Sequence, residues 1–242
     1  EHSFLADLMG VELVQGTDLF VKNLITYMKT TRGPEKIDII YRRIDDQFID
    51  PISFDRSSLI GIPGLFDSYK SGNVNICSAP GSGIADDKAI YSYLPKIIKF
   101  YLGEEAVLEN IKTYRCYEND EKKYVLENLR ELVVKEVHGS GGYGLMIGSK
   151  SSKKEIANFK KKILLNPENF IAQPIISLSS VPIFEKNELS PRHVDLRPFC
   201  LVGANKTKLV NGGLTRVALK KGSLVVNSSQ GGGVKDTWIL NE

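Results

Sequence analysis

Residues 132–148 carry the chain's densest chemistry: an apolar run ending in Lys135, then Gly139, Gly141, Gly142 and Gly144 within six positions, then a second apolar run. Glycine has no Cβ, so its backbone N–H groups can close on an anion. A lysine on the adjoining strand adds a point charge to the same anion. That pairing is a way to hold nucleotide phosphates. Gly139, Gly141 and Gly144 also fit the spacing G-x-G-x-x-G, but a dinucleotide fingerprint opens a helix and is followed by an acidic residue roughly 20 positions on. Here Leu145-Met-Ile-Gly148 reads as another short strand, and Phe159-Lys-Lys-Lys162 stands where the acid belongs. No Gly-Lys-Ser/Thr closes the loop, which excludes a Walker A motif. What remains is strand, glycine loop, strand, with the lysine on the first strand. A glycine-rich hairpin bearing an exposed lysine is the plain alternative.

These residues need elements to position them, and the chain punctuates itself clearly. A helix over residues 3–9 stops at Gly10 and feeds a strand Val11–Val14. Leu19 to Met28 reads as a hairpin and Lys36–Tyr41 as a strand. Arg42 to Phe54 is a polar loop, Gly61-Ile-Pro-Gly64 opens a helix through Leu65 and Tyr69, and Val74–Cys77 is a strand again. Strand–helix–strand alternation predicts a small Rossmann-like α/β unit over residues 1–80 with a largely parallel sheet. Residues 81–130 are expected to be helical, with starts at Ala85 and Pro95, a stop at Gly103 and a further helix within Glu118–Arg130. Residues 131–185 then hold the glycine hairpin, a helix Ser152–Leu165 and a strand Phe170–Ile176. Residues 186–242 are strand-rich, with strands expected at Val194–Val202, Gly213–Leu219 and Ser223–Val226.

Composition narrows the functional classes. The 242 residues are 42% hydrophobic and 25% charged, ordinary for a globular protein, and they can bury a sizeable core. A net charge of +3 gives no electrostatic case for nucleic acid or an anionic membrane. The lysines between Lys150 and Lys162 fall on a helix whose apolar stripe is Ile156, Phe159, Ile163 and Leu164, so they read as its solvated face. Cys77, Cys116 and Cys200 are odd in number and widely spaced, suggesting neither a disulfide framework nor a zinc site, and a cytoplasmic setting is expected. No apolar run approaches the roughly 18 residues of a membrane span. Glu1-His-Ser-Phe4 lacks an initiator methionine and a signal sequence, and the expectation is a fragment of a longer protein.

Six segments stand in a telling order: Gly81-Ser-Gly-Ile-Ala-Asp-Asp-Lys88, Val133-Val-Lys135 with its glycine loop, Ala172-Gln-Pro-Ile-Ile176, His193-Val-Asp-Leu-Arg197, Gly212-Gly-Leu-Thr-Arg216, and Asn227-Ser-Ser-Gln-Gly-Gly-Gly-Val-Lys-Asp-Thr-Trp238. Together they resemble the circularly permuted ATP-grasp family, related to the glutathionylspermidine synthase synthetase domain. The resemblance covers nearly the whole chain. It implies an α+β fold in which ATP lies in a cleft between two subdomains.

Site residues follow from matching motifs. The resemblance implies that Lys88 and Lys135 contact phosphates and that Gly139, Ser140, Gly141, Gly142, Tyr143 and Gly144 close over them. Gln173, Pro174, Ile175 and Ile176 would form the hinge whose backbone meets adenine. Arg197 and Arg216 would be catalytic, facing the transferring phosphoryl group or an acyl phosphate, while Asp195, Asn227 and Lys235 are candidates for substrate or phosphate. ATP and Mg2+ are the implied cofactors. The family's magnesium ligands sit on an acid-then-asparagine strand, whose place is expected to fall upstream of these residues. Asp45, Asp46, Asp50, Asp86 and Asp87 do not fit that pattern and read as loop or helix-cap residues. Ser78-Ala79 stands where the family has Asn-Ala.

Chemistry and resemblance agree on the type of site, because phosphoryl transfer to a carboxylate joins two anions and must be stabilised by cations and N–H dipoles. Arginine's planar, permanently charged fork suits that task. The implied activity is an ATP-dependent carboxylate–amine ligase working through an acyl phosphate, with a nucleotide, a small-molecule or peptide carboxylate and an amine as its partners. Two other classes stay open: a non-catalytic nucleotide-sensing or scaffold module, and an interaction domain whose glycines are structural.

Overall fold

The structure, a computed structural model, describes residues 1–139, 144–203, 205–226 and 232–240. The chain divides into two compact units, residues 1–86 and 87–242.

The first unit begins with helix α1 (His2–Met9), whose end is set by Gly10 in the left-handed conformation, φ 65°. Strands β1 (Leu19–Lys22), β2 (Ile25–Thr30) and β3 (Gly33–Lys36) form an antiparallel meander. Strand β4 (Ile39–Tyr41), helix α2 (Leu65–Lys70) and strand β5 (Asn75–Cys77) follow, with β4 and β5 paired in parallel. The expected strand–helix–strand crossover is therefore present as one short parallel pair, while the larger sheet of this unit is antiparallel. Val11–Val14 is irregular rather than a strand. Leu19, Ile62, Leu65, Val74 and Ile76 form the core. The long polar loop is organised from inside by Asp50, which is fully buried and accepts hydrogen bonds from the N–H groups of Ile52, Gly64 and Phe66.

The second unit opens with helix α3 (Leu94–Leu102), capped by Gly103. Strand β6 (Tyr114–Arg115), helix α4 (Asn119–Glu127), strands β7 (Leu132–Glu136) and β8 (Leu145–Ile147), helix α5 (Lys153–Leu165) and strand β9 (Phe170–Pro174) come next. These strands make an antiparallel sheet in the order β6-β9-β7-β8. Ser152 starts α5 with a full capping box, its hydroxyl accepting from Glu155 N–H while the Glu155 carboxylate returns to the Ser152 N–H. Strands β10 (Ser180–Glu185), β11 (Glu188–Arg197), β12 (Cys200–Val202), β13 (Thr207–Leu209), β14 (Gly213–Val217) and β15 (Gly233–Thr237) complete the unit. Of these, β10-β11-β14-β15 form one sheet and β12-β13 a separate hairpin.

Further elements differ from what the sequence predicts, among them Lys36–Tyr41, which is interrupted at residues 37 and 38 between β3 and β4. The helix expected from Ala85 is a 3-10 segment, Ser82–Asp86, followed by a turn in which Asp87 accepts from the N–H groups of Ala89 and Ile90. Val194–Val202 is not continuous, because Pro198, which lacks an N–H, lies in the break between β11 and β12. Ser223–Val226 is irregular chain, not a strand.

The antiparallel sheet has two unlike faces, and strand parity decides which residue serves which. Leu132, Val134, Met146, Phe170 and Ala172 enter the core with Val125, Leu129 and Ile163 from the helical side. Cys116 lies in the same core with no exposure, and burial pushes its thiol up to about 12. Lys135 falls on the opposite parity, with Val133.

Candidate functional site

Val133 and Lys135 of β7, Leu145 and Ile147 of β8, and Ile175 and Ile176 beyond β9 line a cavity of about 360 Å³. Its other walls are Leu178, Asp195 and Arg197 of β11, Arg216 of β14, and the irregular segment Leu224–Val226. The volume lies at the lower end of the range for small-molecule sites, roughly 300–1,000 Å³. Apolar side chains thus frame a small set of charges, most of them cationic.

Lys135 is the innermost cation. Its ammonium donates to Gln173 Oε1 at 2.6 Å, and Gln173 Nε2 donates to Thr113 Oγ1 at 2.9 Å. Burial lowers the Lys135 pKa from its ordinary value, and the positive charge of Lys88 lowers it further. A lysine held this way is electrostatically under-compensated, so an anion entering the cavity would relieve it.

Lys88 reaches the same region from the turn after the 3-10 segment. Its ammonium donates to the carbonyls of Val137, at 3.2 Å, and Gly139, fastening the first strand's end and the start of the glycine loop. Gly139 N–H in turn donates to Glu136 O at 3.3 Å. Gly144 closes the loop at φ 67°, where an added Cβ would stand 2.5 Å from the Glu136 side chain. Ser140, Gly141, Gly142 and Tyr143 lie outside the described residues, as does Asn227.

On the opposite wall Arg216 and Asp195 face each other in register across β14 and β11. Arg216 Nε donates to Asp195 Oδ1 at 2.8 Å and a second guanidinium nitrogen donates to Oδ2, a bidentate fork that raises the arginine's pKa. Arg197, two positions along β11 from Asp195, shares its face of the strand and lines the cavity as an exposed cation. The candidates thus separate by position. Lys135, Ile175, Ile176, Asp195, Arg197 and Arg216 meet around one cavity, with Lys88 near enough to Lys135 to repel it. Gln173 is buried behind Lys135, and Pro174 pairs with Leu132 at the end of β9. Lys235 instead donates to Pro182 O at 2.8 Å and is absent from the cavity lining.

Val133, Leu145, Ile147 and Thr113 do not stand out as site residues in the sequence. The first three could have been found by counting alternate residues from Lys135 and across the hairpin. Thr113 carries no such signal, and only the register of β6 on β9 brings it to Gln173.

The donor set fits a phosphorylated ligand: cations for the phosphates and apolar walls for a ring system. Among the described residues no three carboxylate, histidine or cysteine side chains converge on a point, and Asp195 is committed to Arg216.

A family model described as circularly permuted ATP-grasp type 2 matches residues 1–218, and the chain belongs to that family. The mixed α/β architecture is the one expected of an ATP-grasp protein. An uncharacterized protein of Synechocystis sp., sll0335, is 52% identical over 99% of this chain and 50% of its own length. An uncharacterized protein of Mycobacterium tuberculosis, Rv2411c, is 51% identical over 99% of this chain and 44% of its own. A Frankia alni protein named "Putative glutamate--cysteine ligase 2-3" is 40% identical over 99% of this chain but 28% of its own length. The chain therefore spans about half the length of the first two relatives and less of the third. Among the described residues, no helix is long and apolar enough to cross a membrane.

Proposed function

We propose that this chain forms the nucleotide-binding part of an ATP-dependent carboxylate–amine ligase. The observation that carries the reading is the cavity in which the partly desolvated Lys135, repelled by Lys88, shares apolar walls with Arg197 and the Arg216–Asp195 pair. Lys135 would neutralise phosphate charge, and Lys88 would exchange its carbonyl partners on the glycine loop for phosphate oxygens. Ile175 and Ile176 would give the base an apolar bed. Gln173 would act through its side chain on Lys135, because that side chain is turned to the lysine.

Arg197 and Arg216 would face the γ-phosphoryl group as it passes to a substrate carboxylate. That step releases ADP and leaves an acyl phosphate. An amine then attacks the acyl carbon, an amide bond forms and phosphate departs. The chain's contribution is charge stabilisation and exclusion of water, since water would consume the acyl phosphate. Mg2+, which offsets phosphate charge when bound, would be held by phosphate oxygens together with one or two carboxylates. The setting proposed for the reaction is the cytoplasm, where ATP is abundant.

The test is ADP release by the full-length protein with pooled carboxylic acids and amines, beside Lys135→Ala. Release that needs both a carboxylate and an amine, and disappears in the variant, supports a ligase. ADP binding with no release under any pool assigns the chain to a nucleotide-sensing module. Release unchanged in Lys135→Ala refutes the site.

A further inference from the structure

We infer that Thr113 is a positioning residue for Lys135, acting through the Gln173 side-chain amide; the inference rests on the nucleotide reading of the cavity. Strand register creates the arrangement. Tyr114 pairs with Ala172, so Thr113 stands beside Gln173 on one flank of β9, while Val133 pairs with Gln173 on the other. Lys135 lies two residues from Val133, on the same face and diagonal to Gln173. The Gln173 amide therefore bridges the sheet from the β6 edge to β7.

Donor and acceptor chemistry leaves this bridge one orientation. An ammonium has donors and no acceptor, so it must meet the amide oxygen. Gln173 Oε1 does face Lys135 Nζ, at 2.6 Å. The NH2 group then points the other way and needs an acceptor, which is Thr113 Oγ1 at 2.9 Å. The threonine hydroxyl can accept there because its own hydrogen is directed to Ile111 O, also at 2.9 Å. Three bonds in series thus run from a fixed backbone carbonyl to the half-buried ammonium. Gln173 is 7% exposed, so water cannot readily replace a lost link.

Other groups around Lys135 do not duplicate this contact. Lys88 repels it, Arg197 and Arg216 add positive charge from β11 and β14, and Asp195 is held by Arg216. The residues facing it from β8 and from Leu224–Val226 are apolar. Without the hydroxyl, the Gln173 NH2 is left unsatisfied and the amide loses its anchor on the side away from Lys135. The ammonium then has a less firmly placed acceptor, and its protonated form is favoured less.

The experiment measures ADP affinity of the full-length protein from neutral to alkaline pH, comparing Thr113→Val and Thr113→Ser with the parent. Thr113→Val is expected to weaken ADP binding about three- to tenfold, the scale of one buried hydrogen bond. It should also move the alkaline midpoint of binding to lower pH, since a lysine with less support loses its proton sooner. Thr113→Ser keeps the hydroxyl and should restore both. In a Gln173→Glu background, whose carboxylate accepts from the ammonium and has no NH2 group to satisfy at residue 113, adding Thr113→Val should leave the midpoint in place. An unchanged midpoint in Thr113→Val with normal ADP binding overturns the inference, as does a serine variant that behaves like valine. If Thr113→Val does not fold, the serine and Gln173→Glu variants still decide, because an alkaline midpoint that Gln173→Glu fails to raise breaks the link between residue 173 and Lys135. Absence of ADP binding by the parent protein removes the nucleotide reading itself, and this inference with it.

Discussion

Removing Asp195 should expose how much the cavity depends on one ion pair. Asp195 accepts two hydrogen bonds from Arg216, and their side chains are 30% and 16% exposed. A fully buried pair broken on one side costs about 3–5 kcal/mol, whereas a solvated one costs less than about 1 kcal/mol. The intermediate exposure places the loss in Asp195→Ala at about 2 kcal/mol, most of it from leaving Arg216 without an acceptor beside Arg197. For a protein of this size that corresponds to a fall in Tm of about 4–8 °C. The double variant Asp195→Leu/Arg216→Met replaces both charges with apolar groups of similar size and should recover most of the loss. ADP or inorganic phosphate should protect Asp195→Ala more than the parent, because the arginine gains an anion. Differential scanning calorimetry on the parent, the single and the double variant decides the point. A drop below about 1 °C in Asp195→Ala, or a double variant no better than the single, refutes the claim that this pair is desolvated.

Three further outcomes follow from other parts of the chain. Because Lys135 has a lowered pKa, its charged form is a stability cost that is present below that pKa and relieved as pH rises from it toward the ordinary lysine value. Apo stability should therefore gain over that alkaline window while ADP-induced stabilisation fades, and Lys135→Met should flatten both trends in parallel thermal scans. Gly148→Ala should disrupt the second unit, since its Cβ would lie 1.8 Å from Leu129 O and 2.8 Å from Arg130 Cα; loss of about 3 kcal/mol or more in urea denaturation is expected. Ser152→Ala should cost about 1 kcal/mol by removing the α5 cap, with ADP binding unchanged by calorimetry.

Much was legible in the residues alone. Gly10 and Gly103 mark the ends of α1 and α3 because an αL conformation is nearly free of strain only in glycine, a local rule needing no partner. The placement of Lys135 on the first strand of an antiparallel pair was legible too, since apolar alternation is a short-range signal. The start of α5 at Ser152 was expected as well, and a capping box with Glu155, complete within four residues, holds it. Expected strands are missing where pairing, not propensity, decides. Val11–Val14 and Ser223–Val226 have strand-forming composition but lack a ladder in the fold, and the second instead supplies Leu224–Val226 to the cavity wall.

The linear chain thus determined its family, its main helix boundaries and the types of group available for binding an anion. Tertiary structure decided which of those groups meet. Asp195 and Arg216 are 21 positions apart, and their bidentate contact exists only because β11 and β14 pair in one register. Thr113 and Gln173 are 60 apart and depend on β6 and β9 in the same way. Residue identity sets what a side chain can donate or accept, but strand register sets what stands within hydrogen-bonding reach of it, and register is a property of the whole sheet.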